Sequence, residues 1–353
     1  MAAAFTPEQI KYLQDHIDET RVPSIHISNG ICIGAATIAV ILRFFARRLG
    51  RSGLGKDDYC LFLAYVLYVC YAAAFSVMTR YGIGRHVILV TNFRAFTICS
   101  FIMVSFYVFG MACVKCSILF LYHRIFPGRR FRNTLFVFGA IVLSWALAAW
   151  FPSIMNCNPI EKNWNSSVPG RCVNYGTVTL VIGIFNVLLD FLILGTPMPL
   201  LWRLRMSTRR KVLLSGAFAA GSVACIVSIA RLFYARQASM AGTTADVENG
   251  RQTIYDPSWD TVWPGVLSGL EVFTGIVACC SITYRPLVEK VIGSSAAEQE
   301  DPSSEHSRGW SKISVQRDVT VQNLHVNSTG RGENQTELQP WELRTKGLDG
   351  RWQ

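Results

Sequence analysis

The chain is short of charge: only 16% of its 353 residues are Asp, Glu, Lys or Arg, against about 25% in an ordinary soluble domain. A soluble enzyme is a poor match for that figure. It lacks the alternating apolar and polar runs of about ten residues that a barrel strand requires. Its first twenty residues lack a basic start and an apolar core long enough for a cleavable leader, so the first apolar span is expected to insert the chain itself. Metal half-sites are missing too, because the Cys113 and Cys116 pair has no second pair to complete it and Cys279 and Cys280 are simply adjacent. Neither zinc, redox chemistry nor any other cofactor is expected. Disorder throughout is excluded by 21 Phe, 12 Tyr and 9 Trp.

What is present is apolar surface: 51% of residues are hydrophobic and the mean hydropathy is +0.29. Seven segments reach the roughly 20 apolar residues a bilayer helix needs. They run from Ile25 to Phe45, Tyr59 to Met78, Ala95 to Tyr122, Thr134 to Ile154, Gly176 to Leu201, Val212 to Ala235 and Val262 to Ile282. An all-α, seven-transmembrane-helix bundle follows, with residues 25–287 as the membrane domain. The net charge of +11 is mostly an address within that bundle. Arg47, Arg48, Arg51 and Lys56 lie in the first connection. Arg124, Arg129, Arg130 and Arg132 lie in the third, and Arg203, Arg205, Arg209, Arg210 and Lys211 in the fifth. By the positive-inside rule the N-terminus is outside and the C-terminus cytosolic. The lipid bilayer is therefore the expected partner, and nucleic acid is not.

Residues 1–24 form an outer arm. Thr6, Pro7 and Gln9 resemble a capped helix start there, and Ile10, Leu13 and Ile17 are expected to share an apolar face. Residues 288–353 turn polar and are expected to be a disordered cytosolic tail. Asn327 and Asn334 match the glycosylation pattern within it, but a cytosolic segment never meets that machinery.

Four ionisable residues stand out inside the predicted spans: Lys115, Asp190, Arg231 and Glu271. Each is costly at membrane depth unless it is paired or faces a wet cavity. Their depths suggest Lys115 with Asp190 and Arg231 with Glu271. Two readings stay open, a pair of packing braces or the lining of a polar ligand or proton site. Between the fourth and fifth spans, Cys157 and Cys172 face the oxidising side and are expected to form a disulfide. Asn165 in the same loop is a topologically permitted glycan acceptor. The stretch Tyr81-Gly82-Ile83-Gly84-Arg85-His86 lacks the third glycine and preceding strand of a nucleotide loop, and is expected to be a tight outer turn with Arg85 and His86 at the bundle mouth. Small residues four apart, Gly30 with Gly34 and Gly265 with Gly269, signal close helix packing.

These stretches, taken in order, resemble one known family. Asp57-Asp58-Tyr59, the turn at 81–86, Lys115-Cys116-Ser117-Ile118-Leu119, Tyr122-His123-Arg124, the Cys157 to Cys172 loop, Asp190 to Pro197, Gly221 to Arg231, and Glu271 with Arg285-Pro286-Leu287 are similar to the fungal rhodopsin-domain membrane proteins. The resemblance covers about Ile25 to Leu287. It implies a seven-helix integral membrane protein, in a family with receptor-like members and members encoded in secondary-metabolite gene clusters. Two departures are plain: the arm before Ile25 has no Cys, and Cys279 is followed by Cys280 rather than by a Leu-Pro step. Retinal chemistry is not expected, because a Schiff base needs a Lys in the last helix and the seventh span offers Glu271 and no Lys.

The leading expectation is a receptor-like or accessory protein that binds a lipophilic small molecule and meets a cytosolic signalling partner through its basic connections. The alternative is a membrane-embedded cyclase or isomerase using Asp190 or Glu271 as a buried acid. A transporter comes third, since no inverted repeat is visible.

Overall fold

The computed structural model describes residues 7–50, 53–126, 128–165, 167–198, 208–241, 247–248, 251–252 and 256–284. The elements are α1 (Pro7–Asp15), α2 (Val22–Leu49), α3 (Lys56–Met78), α4 (Phe93–Ile125), α5 (Arg129–Ile154), α6 (Tyr175–Gly195), α7 (Thr208–Ala241), the single turn α8 (Pro257–Asp260) and α9 (Val262–Ser281). Among the described residues, seven helices are long and apolar enough to cross a membrane.

Each predicted span is a helix, and most run past their predicted ends. Polar flanks can extend a helix where its terminus suits their charge. Arg47 and Arg48 thus occupy the last turn of α2, next to the partial negative charge of that end. The 33 residues of α4 rise about 50 Å, well beyond a hydrocarbon core of about 30 Å. The fifth span, α6, ends at Gly195 rather than Leu201. Residues 199–207, holding Arg203 and Arg205, lie outside the described residues, as do Thr6, the tail from 288, Asn327 and Asn334.

The seventh span is the axis of the bundle. It packs on α2, α3, α4 and α7, and half of its most apolar stretch is buried, against a third or less elsewhere. Its glycines allow this approach: a Cβ on Gly265 would lie 2.7 Å from the Phe75 ring, and one on Gly275 would lie 2.7 Å from Val114. Gly30 and Gly34 correct the expectation of close packing, because nothing lies within 4 Å of a Cβ at either position. They share their side of α2 with the exposed Ile27, Ile31 and Ile38, so that side faces outward.

At the N-terminal end of the bundle three distant segments are knotted. Arg21 N–H donates to Gly84 O (2.8 Å), and Gly84 N–H donates to Ser258 O (3.0 Å). Gly82 and Gly84 take φ of +110° and +83°, which makes the turn tight and favours glycine at both places. Arg85 is exposed there, but His86 is buried, 2.9 Å from Asp256 through Nδ1 and stacked on Trp259. Arg21 covers the same indole at 4.0 Å. Leu13 of α1 is buried beside the exposed Ile10 and Ile17, so the expected apolar face is only partly used. Two short strands, Cys157–Asn158 and Arg171–Cys172, pair antiparallel, and the expected Cys157–Cys172 disulfide is closed between them. Asn165 is exposed in the same loop.

Candidate functional site

Helical spacing sets several polar groups on inward faces. Asn186 and Asp190 are four residues apart on α6, and Ser228 and Arg231 are three apart on α7, so each pair shares a side of its helix. Tyr107 lies two turns before Lys115 on α4, and Glu271 sits midway along α9. The structure brings all seven into one network rather than the two separate pairs that depth alone suggests.

Lys115 donates to Asp190 Oδ1, and its Nζ also reaches Asn186 O at 3.5 Å. Arg231 Nε lies 3.0 Å from Glu271 Oε2. Two neutral side chains join these ion pairs. Asn186 Nδ2 donates to Glu271 Oε1 at 2.5 Å and lies 3.4 Å from Asp190 Oδ2. Ser228 Oγ lies 2.9 Å from Asp190 Oδ2 and also meets Glu271 Oε1. Tyr107 O–H completes the shell, donating to Glu271 Oε2 at 2.6 Å. Glu271, Asn186, Ser228 and Lys115 are each at most 2% exposed.

Two cations and two anions cancel, which is the condition for holding charge at such depth. The hydrogen bonds do not close equally well. Glu271 accepts from Tyr107, Asn186 and Ser228, three neutral donors. Arg231 therefore contributes mainly charge: its Nε–H is not directed at the nearby carboxylate, and both Nε and Nη2 are buried with no hydrogen-bond partner among the described residues. Its guanidinium also lies over the Tyr107 ring at 5.2 Å. Asn186 Oδ1 is likewise buried and unpartnered. The network thus retains spare donors and a spare acceptor.

Sequence reasoning missed Asn186, Ser228 and Tyr107, although the i to i+4 spacing of Asn186 and Asp190 was a usable signal. It also missed a fifth charge within the first span. Arg43 is buried, with Nε donating to Asp58 Oδ1 (2.8 Å), Nη2 to Asp57 Oδ2 (2.7 Å) and Nη1 to Cys279 O (2.6 Å). Arg47 donates to both aspartates, and Arg124 approaches Asp57 at 3.5 Å. Asp58 also accepts from Gly55 N–H at 3.0 Å, so it caps α3 while it binds arginine. This second cluster joins α2, α3, α4 and α9 at the end opposite the knot.

The chain matches the fungal rhodopsin domain over residues 42–290. It is 34% identical over 169 residues to the SAT4 family membrane protein of Emericella nidulans, which covers 47% of this chain and 39% of that one. It is 24% identical over 273 residues to the polyenoic acids biosynthesis gene cluster protein Ba17b of Metarhizium anisopliae, covering 72% and 70%. To the receptor GIN3 of Arthrobotrys oligospora it is 26% identical over 206 residues, covering 56% and 49%. The chain therefore spans well under two thirds of the first and last of these. A domain match that runs through most of a bundle of seven apolar helices makes this chain a membrane protein of the fungal rhodopsin domain family.

Proposed function

We propose that the chain is a non-retinal, receptor-like or accessory membrane protein that holds a lipophilic small molecule between its helices, in the service of a secondary-metabolite pathway. The carrying observation is the unclosed network. A brace is best when every polar group is satisfied internally, whereas Arg231 and Asn186 keep buried donors and an acceptor unspent. The names of the relatives support the same reading, since one belongs to a biosynthesis gene cluster and another is called a receptor. In this proposal the N-terminus, the Cys157–Cys172 loop and a glycan on Asn165 are outside. The basic connections and the tail face the cytosol, where a signalling partner would dock.

One observation favours the enzyme alternative. Ser228 has a single hydroxyl proton, yet oxygens of Asp190 and Glu271 both face it, an arrangement that suits a carboxyl group carrying a proton. Against it, Lys115 and Arg231 neutralise both carboxylates, which weakens either as an acid.

Gene deletion with metabolite profiling and a transcriptional readout separates the two. The proposal expects an altered response to an added compound and no accumulated intermediate that the purified protein converts. An accumulating intermediate that the purified protein converts, with conversion lost in Asp190→Asn or Glu271→Gln, would establish the enzyme instead.

A further inference from the structure

We infer that the molecule held by this network is a neutral, oxygenated lipophile, with a carbonyl oxygen accepting from Arg231 and a hydroxyl donating to Asn186 Oδ1. The inference rests on the ligand-binding reading above and adds the chemistry of the ligand.

A guanidinium can only donate; Nε of Arg231 already lies 3.0 Å from Glu271 Oε2, so it is the buried Nη2, without a hydrogen-bond partner among the described residues, that calls for an acceptor oxygen. The orientation of Asn186 is fixed by Nδ2, which is committed to Glu271 Oε1 at 2.5 Å and lies 3.4 Å from Asp190 Oδ2. Two carboxylate oxygens would repel an amide oxygen placed there. Oδ1 is therefore the free atom, and it calls for a donor. Both groups flank the Glu271 carboxylate, one on each of its oxygens. A hydroxy ketone, hydroxy ester or hydroxy lactone offers this pairing within a few bonds.

Lys115 and Arg231 already balance Asp190 and Glu271. A carboxylate ligand would leave one uncompensated negative charge in the bundle interior, and an amine would leave a positive one; both are strongly disfavoured at that depth. A free acid is thus a worse match to Arg231 than its ester, although arginine by itself favours carboxylates.

Gly183 on α6 faces the guanidinium: a Cβ built there would lie 4.0 Å from Arg231 Nη2 and 3.0 Å from Leu232 Cδ1. A side chain at 183 would therefore press on Leu232 and come into van der Waals contact with Nη2.

The test uses the full-length chain in nanodiscs and three probes on one alkyl chain: methyl β-hydroxylaurate, laurate and dodecane. The readout is the shift of the thermal unfolding midpoint at equal mole fraction, since a ligand that binds only the folded state raises it. The hydroxy ester should raise the midpoint by several degrees, with no comparable shift from laurate or dodecane. Arg231→Gln should abolish the shift. Gly183→Ala, which leaves every ion pair in place and needs only the tip of Leu232 to give, should reduce it. A larger shift from laurate overturns the neutral-ligand inference while leaving the ligand-binding reading intact. An ester shift that survives in both variants places binding elsewhere, and no shift from any probe means that water alone meets these atoms. Either result ends the inference, whereas the ligand-binding reading is decided separately by the deletion experiment.

Discussion

The two arginine clusters of this bundle are built from the same parts and finished differently. Around Arg43, all three guanidinium nitrogens have acceptors, two aspartates and the Cys279 carbonyl. Asp58 is shared further with Arg47 and the Gly55 N–H. Around Arg231, a single glutamate is near, neutral donors already occupy it, and two nitrogens are left over. Both clusters tie several helices, so burial and charge do not distinguish them. Completeness does: the first consumes its own polar groups and acts as a clamp on α2, α3 and α9, while the second leaves some of its buried polar groups without a hydrogen-bond partner among the described residues.

Substitutions sharpen or break this contrast. Arg43→Met strands Asp57 and Asp58 with Arg47 as their main remaining cation, and should cost about 3–5 kcal/mol, the range for halving a buried ion pair. It is measured as a lowered unfolding midpoint and a lower folded yield in detergent. Arg231→Met leaves Glu271 as a buried charge without its cation and should cost a comparable amount, about 3–5 kcal/mol, although Tyr107, Asn186 and Ser228 still hydrogen-bond it. The same melting measurement checks it, and a loss below about 1 kcal/mol would mean that the neutral donors alone hold that carboxylate. Arg124→Gln should matter least. Its side chain is 37% exposed and 3.5 Å from Asp57, so a change below about 1 kcal/mol is expected. A large drop in melting there would mean that the clamp depends on its rim.

The spans and the two ion pairs were legible because both follow from solvation alone. An apolar run of bilayer length has few alternatives, and a charge within it must find its opposite at similar depth, which singles out Asp190 for Lys115 and Glu271 for Arg231. Neutral polar residues carry no such penalty, so Asn186, Ser228 and Tyr107 look like ordinary helix residues until the helices are packed, and their role in merging two pairs was not legible. Arg43 was hidden for the opposite reason. Only three residues ahead of Ala46 and the Arg47-Arg48 pair, it reads as the start of a basic flank, although it is turned inward. Gly30 and Gly34 show the limit of motif spacing, since four-residue spacing fixes a common side but not which neighbour, if any, that side meets.

The knot at the N-terminal end also sets an order in time. Two of its ties are made by backbone groups of Arg21, Gly84 and Ser258, so substituting a side chain removes neither of these directly. Arg21 and Gly84 leave the ribosome early, but Ser258 belongs to the last helical segment. At about 5–20 residues per second, the turn at Gly84 waits on the order of ten seconds or more for its third partner. The first spans must therefore sit in the membrane with their common end unsealed until the seventh arrives, and the bundle is latched from the far end of its own synthesis.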